Sequence, residues 1–196
     1  MKRFISILFM ISLCTLSVFA EEETREDVVE VTEDGFVYEQ NGAGDQFLKI
    51  GLAAAIPLNF NGKLYVGGGA DIGYYRFLTN TLAVGGEIII DYNISVGEKS
   101  LVTVPITFGG MFQPYYKKFE FPITLGIGFS SISCQGMSYF PAFTMKASAG
   151  AYYRLTEAWS VGTSFSAMWI PQWFADTSKN FDGFFGNAGI SVRYHF

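Results

Sequence analysis

The chain has 196 residues, of which 49% are hydrophobic and 17% aromatic, with a formal net charge of −5. That charge is unevenly placed: residues 21–45 carry ten acids against Arg25 alone, net −9, while residues 46–196 carry eight acids and ten Lys/Arg, net +2. The acidity belongs to a short leader, and no run of the rest makes a basic patch for nucleic acid.

Met1-Lys2-Arg3 is followed by an apolar run from Phe4 to Phe19, with small residues at Val18 and Ala20. This order predicts a secretory signal peptide, residues 1–20, cut after Ala20. The apolar run is shorter than the ~20 residues of a spanning helix, which weighs against an uncleaved anchor. Leu13 stands where acylation at Cys14 would want a small residue. Cys14 would leave with the signal, so Cys134 has no partner for a disulfide within the chain and reads as a small loop residue. Residues 21–45 form the acidic leader, which like charge should keep solvated. Within it, Glu33-Asp34-Gly35 between Val28–Val31 and Phe36–Tyr38 reads as a hairpin turn. Docking on a barrel rim and entry into a lumen are the other two fates open to this segment.

From residue 46 onward, alternation of period two replaces any helical signal. Phe119, Phe121, Ile123, Leu125, Ile127 and Phe129 alternate with Glu120, Pro122, Thr124, Gly126, Gly128 and Ser130. Side chains on a strand point to opposite faces in turn, so one face is greasy and the other small or polar. The same division runs from Leu82 to Tyr92 and from Trp159 to Trp169. It predicts eight strands, at about 46–57, 64–76, 81–94, 100–113, 118–131, 141–154, 158–170 and 183–196. Each is long enough for a tilted strand to cross the hydrocarbon layer. The second faces carry Gly, Ala, Ser and Thr where a soluble sandwich would carry Lys and Glu. The greasy faces end in aromatics, as an interfacial girdle does. The expected fold is therefore all-β: an eight-stranded antiparallel up-and-down transmembrane β-barrel over residues 46–196, behind the signal and the leader.

In lipid a sheet must close on itself, because stray amides find no water there. Inward parity predicts a lumen network of Lys49, Asp71, Glu87, Glu120 and Lys146, with Arg154 and Arg193 nearer one rim. It also predicts an apolar mouth of Tyr65, Ile89, Leu101, Met168 and Phe185 at the opposite end. An even strand count puts both ends of the barrel on one side, expected to be periplasmic, which makes the leader periplasmic as well. The short turns are then Phe77–Asn80, Pro114–Lys117 and Leu155–Glu157. The outer loops are Leu58–Lys63, Ser95–Lys99, Ser131–Phe140 and Pro171–Asp182, none of them long.

The alternating strands, the segment Val104-Pro105-Ile106-Thr107-Phe108-Gly109-Gly110, the turn Tyr153-Arg154-Leu155-Thr156-Glu157-Ala158-Trp159 and the ending Tyr194-His195-Phe196 resemble the small outer-membrane barrel superfamily typified by OmpA, OmpX and OmpW. The composition is similar to that of a spirochaetal branch of it. The resemblance implies an outer-membrane location, lipid as the surrounding partner, and Tyr194 and Phe196 as a signal read by the barrel-assembly machinery. An OmpW-like resemblance implies a narrow channel for small or hydrophobic solutes; the alternative is a structural or surface-binding barrel with no pore activity. Trp173, Phe174, Tyr139 and Phe140 are candidate anchors for the latter. Enzymatic barrels of this size need a histidine with a serine or acid near the outer rim, whereas His195 falls at the other end beside Ser191 and Arg193. Glu87 with Asp71 or Asp91 reads more simply as mixed lumen charge than as a catalytic pair. No spacing suggests a zinc site, a calcium site would have to be assembled from scattered acids, and no cofactor is expected.

Overall fold

A computed structural model describes residues 38–60, 63–135, 137–174 and 177–196. The expected signal peptide and the Glu33-Asp34-Gly35 turn lie outside the described residues. Strands follow in the order β1 (Gln46–Pro57), β2 (Gly67–Phe77), β3 (Leu82–Ile94), β4 (Ser100–Phe112), β5 (Tyr115–Tyr116), β6 (Phe119–Glu120), β7 (Ile123–Cys134), β8 (Met137–Arg154), β9 (Trp159–Gln172) and β10 (Phe181–His195). Among the described residues no helix is long and apolar enough to cross a membrane, and crossing by strands is a separate matter.

The two-residue strands β5 and β6 pair with each other inside a turn, and β6 also pairs with β8. β6 continues into β7 as one wall strand, interrupted at Phe121-Pro122. Proline has no amide hydrogen for the ladder; its carbonyl still accepts from the Gly150 amide at 3.0 Å, while the Phe121 amide turns back to the Pro114 carbonyl at 2.9 Å. Eight wall strands result, each antiparallel to its neighbours. β1 pairs with both β2 and β10, and β8 with both β7 and β9, so the sheet closes on itself. The chain ends of the barrel meet where Gln46 and Phe196 exchange backbone hydrogen bonds of 3.1 and 3.0 Å.

The faces follow the alternation. Leu82, Val84, Ile88, Ile90, Tyr92 and Ile94 of β3 are outward and exposed, while Ala83, Glu87, Ile89, Asp91 and Asn93 are buried in the lumen. Lipid solvates the outer set, and every unsatisfied amide there would cost several kcal/mol, which is why each wall strand is paired on both sides.

Two regions differ most from the sequence expectation. β2 begins at Gly67, not at residue 64, and Leu64 makes only an isolated bridge to Ser95. The predicted loop Ser131–Phe140 is instead strand on both sides, with Cys134 paired to Met137 across a tight turn and Gln135 at φ 41°. Ser131, Ser133 and Ser138 looked like loop residues, but a hairpin projecting past the lipid can be polar on both faces. Cys134 is therefore a free thiol at a strand end, not a loop residue. At its N-terminal end β8 keeps pairing with β7 out to Met137 but pairs with β9 only from Met145 opposite Trp169.

Candidate functional site

The only interior of such a barrel is its lumen, here filled in layers. "Terminal end" below means the end where Gln46 and Phe196 meet, and "far end" the opposite one.

At the terminal end Glu120, fully buried, lies 3.3 Å from Arg154 Nη1 and 3.5 Å from Arg193 Nη1. Arg193 Nη1 also donates to Gln113 Oε1 at 2.9 Å, and its guanidinium stacks over Tyr152, 3.4 Å from the ring centre. Beside them an aromatic cluster of Phe47, Tyr75 and Phe77 packs with Ala83 and Met111. The end of the leader closes this layer, which corrects the expectation that like charge keeps the whole leader in solvent. Asn41 is 2% exposed, accepts from Arg154 Nη2 at 3.1 Å and donates to the Tyr115 hydroxyl at 2.9 Å. Gly44 and Asp45 hydrogen-bond to the Phe77 backbone. The Tyr38 phenol is held above its ordinary range by burial first and by the negative charge of Glu120 next. The acids crowding residues 21–37 say nothing about residues 40–44, Gln-Asn-Gly-Ala-Gly, which carry no charge of their own.

In the middle, Lys49 Nζ lies 3.0 Å from Asp71 and 3.3 Å from Glu87. Lys146 pairs with the other oxygen of Glu87, and the Tyr75 hydroxyl donates to Glu87 at 2.9 Å. All seven residues of the expected network thus point into the lumen, in two groups rather than one. Small cavities lie among them. One, of about 10 Å³, touches Lys49, Glu87, Tyr152 and Arg193; another, of about 20 Å³, touches Asp71, Lys146, Ser166 and Asn187. Each is room for about one water molecule.

At the far end Ile89, Ile132, Ala142, Met168, Ile170 and Phe185 form a buried apolar cluster, with Phe60, Leu64, Leu101 and Tyr139 packed against it. Four residues of the expected apolar mouth, Ile89, Leu101, Met168 and Phe185, meet here, though as a packed layer rather than an open funnel. Tyr65 does not join them. It precedes β2, outside the strand whose parity would have turned it inward, and its side chain is 58% exposed. Phe60, from the β1–β2 connection, was not foreseen; its ring lies 4.8 Å from that of Phe185. Outside this layer the Tyr139 hydroxyl donates to the Trp173 carbonyl at 3.1 Å and accepts from its amide at 3.0 Å.

His195 is bonded to Ser160, a residue of the neighbouring strand, with Nε2 2.9 Å from Oγ. Among the described residues its Nδ1 has no hydrogen-bond partner and no acid orients the ring, and Phe47 covers one side of it. Tyr194 and Phe196 are outward, their rings stacked 5.9 Å apart.

A protein-family model matches residues 22–194. An uncharacterised protein of Treponema pallidum (strain Nichols) is 29% identical over 208 residues, covering 94% of each chain. A second from the same organism is 24% identical over 67% of this chain and 50% of its own length. Among solved structures, the Neisserial surface protein A superposes with a TM-score of 0.61 at 14% identity, over 78% of this chain and 99% of its own. OprG of Pseudomonas aeruginosa gives 0.54 at 10% identity, over 80% and 97%. Ail, the attachment invasion locus protein of Yersinia pestis, gives 0.53 at 17% identity, over 78% and 99%. The chain therefore belongs to the family whose model spans residues 22–194, and its fold is that of the small eight-stranded outer-membrane β-barrels.

Proposed function

We propose that this outer-membrane barrel acts as a structural or surface-binding protein at its far end, and that its lumen is a packed core rather than a conduit. The observation that carries this reading is the stacking of three closures along one axis. They are the leader and Glu120 layer, the lysine–carboxylate layer, and the apolar layer of Ile89, Met168 and Phe185. Two cavities between them, at Lys49 and Glu87 and at Asp71 and Lys146, are of single-water size, and an eight-stranded barrel has room for little beyond its own side chains.

On this reading the signal peptide is removed after Ala20, the terminal end faces the periplasm, and Tyr194 with Phe196 addresses the assembly machinery. Phe140 and Trp173, 71% and 57% exposed, then stand on the outer side with Phe174 as the contact surface. A neighbour of the same fold is named for attachment and invasion, which is the kind of role such a surface serves. Enzymatic activity has no place in the reading, because the Ser160–His195 pair is buried and lacks an acid. The channel reading keeps one supporting feature, an apolar layer above a polar one, and would need Phe60 and Leu64 to swing away from Phe185.

Solute flux into liposomes holding the mature protein is the test. A barrel shown to be folded by its heat-dependent electrophoretic mobility should admit small solutes no faster than protein-free vesicles. Entry clearly above that background would overturn the packed-core reading and restore the conduit.

A further inference from the structure

We infer that the lumen holds one monovalent metal cation beside Asp91, in a nest of oxygens from Asp91, Asn93, Thr103 and Asn187. The first argument is charge. Glu120 faces two arginines, and Asp71 and Glu87 share Lys49 and Lys146. Asp91 is 1% exposed and has no ion pair among the described residues; both its oxygens accept from Asn187 Nδ2, at 2.9 and 3.0 Å. Lys146 is bound to Glu87 and makes no ion pair with Asp91. The middle layer therefore has three carboxylates and two ammonium groups, and the matching surplus of one guanidinium sits in the terminal layer, on Glu120, so the deficit at Asp91 is local. An amide dipole does not cancel a charge, and a buried carboxylate left without a counter-ion is costly.

The second argument is the surrounding oxygens. Thr103 sits directly opposite Asp91 in the β3–β4 register, 1% exposed, and its hydroxyl has no hydrogen-bond partner. Asn93, the next lumen residue on β3, is fully buried. Its Nδ2 donates to the Ala55 and Tyr65 carbonyls at 2.9 and 3.0 Å, which leaves Oδ1 unpartnered. Asn187 gives its Nδ2 to Asp91, and its Oδ1 too is unpartnered. Buried polar atoms in native proteins are nearly always satisfied. Three neutral oxygens without hydrogen-bond partners, on lumen residues opposite, beside and bonded to one unpaired carboxylate, are donors of the type that hard cations take. A single positive charge balances the deficit, whereas a divalent ion would overshoot it.

The third is the floor. A Cβ at Gly69 would lie 2.1 Å from Asp91 Oδ1, and one at Gly67 would lie 2.8 Å from Asn93 Nδ2. β2 thus lacks side chains where these two groups lie across it.

The test is thermal unfolding of the folded mature protein in detergent micelles, in sodium, potassium or choline chloride at equal ionic strength. The wild-type midpoint should be higher by about 2–4 °C or more in an alkali-metal salt than in choline. Asp91→Asn should keep heat-dependent mobility and lose the cation dependence. Thr103→Val, which preserves shape, should raise the half-saturating salt concentration. An identical wild-type midpoint in all three salts, or a dependence that survives Asp91→Asn, would overturn the proposal. So would a midpoint blind to the cation that rises on acidification only while Asp91 is present, since a proton would then fill the role.

Discussion

At the far end of the barrel Ile89, Ile132, Met168, Ile170 and Phe185 close the lumen with apolar volume, whereas at the terminal end Glu120, Arg154 and Arg193 close it with charge. The apolar layer is non-directional and tolerates imperfect fit at a graded cost. The charged layer works only as a complete set, because each removed partner leaves another group buried and unsatisfied. The described end of the leader, residues 38–45, answers to that difference. Asn41 supplies Arg154 with an acceptor that the strands do not provide, and the far end has no such need.

The largest expected effect lies in the charged layer. Glu120→Ala strands two guanidinium groups and should cost about 3–5 kcal/mol in urea unfolding of the folded protein. A cost under about 1 kcal/mol would mean that water reaches this layer and that the contrast between the ends is false. Met168→Ala in the apolar layer should cost about 2–4 kcal/mol, through lost burial and the cavity left behind. Because the loss is steric, Met168→Leu should recover most of it; a Leu variant as unstable as the Ala one would show that shape at this end matters more than volume. Asn41→Ala should cost about 1–2 kcal/mol by leaving Arg154 short of an acceptor, and protease cutting within residues 21–45 should quicken in parallel. Unchanged cutting would mean that the leader is not latched through Asn41. Least affected should be Tyr65→Ala, within about 0.5 kcal/mol, because its side chain is exposed. A loss as large as that at Met168 would return Tyr65 to the apolar layer.

How much of this could be read beforehand depends on the range of the signal. The wall is written locally: period two, aromatic ends and small second faces fix which residues of β3, β7 and β9 meet lipid. The same parity named the seven charged lumen residues and four of the five apolar ones. It failed for Tyr65, which lies just outside a strand, since parity has meaning only where the ladder exists. It missed the extension of β7 and β8 because, beyond the lipid, alternation no longer separates greasy from polar. Asn93, Thr103 and Asn187 share the inward parity of Asp91, so their direction was legible, but neutral side chains carry no charge to draw notice.

The amino-acid pattern by itself determined a closed, lipid-facing barrel with charged residues turned inward, because burial in lipid or lumen is decided one residue at a time. Tertiary structure alone decided which of those charges share a layer, that Asn41 enters the terminal mouth, that Ser160 rather than Ser191 meets His195, and that Asp91 meets Asn187 and no Lys or Arg among the described residues. These depend on strand register and on contacts across the lumen between residues as distant in sequence as Asn41 and Arg154. No local pattern carries that information; it arises only when the sheet closes.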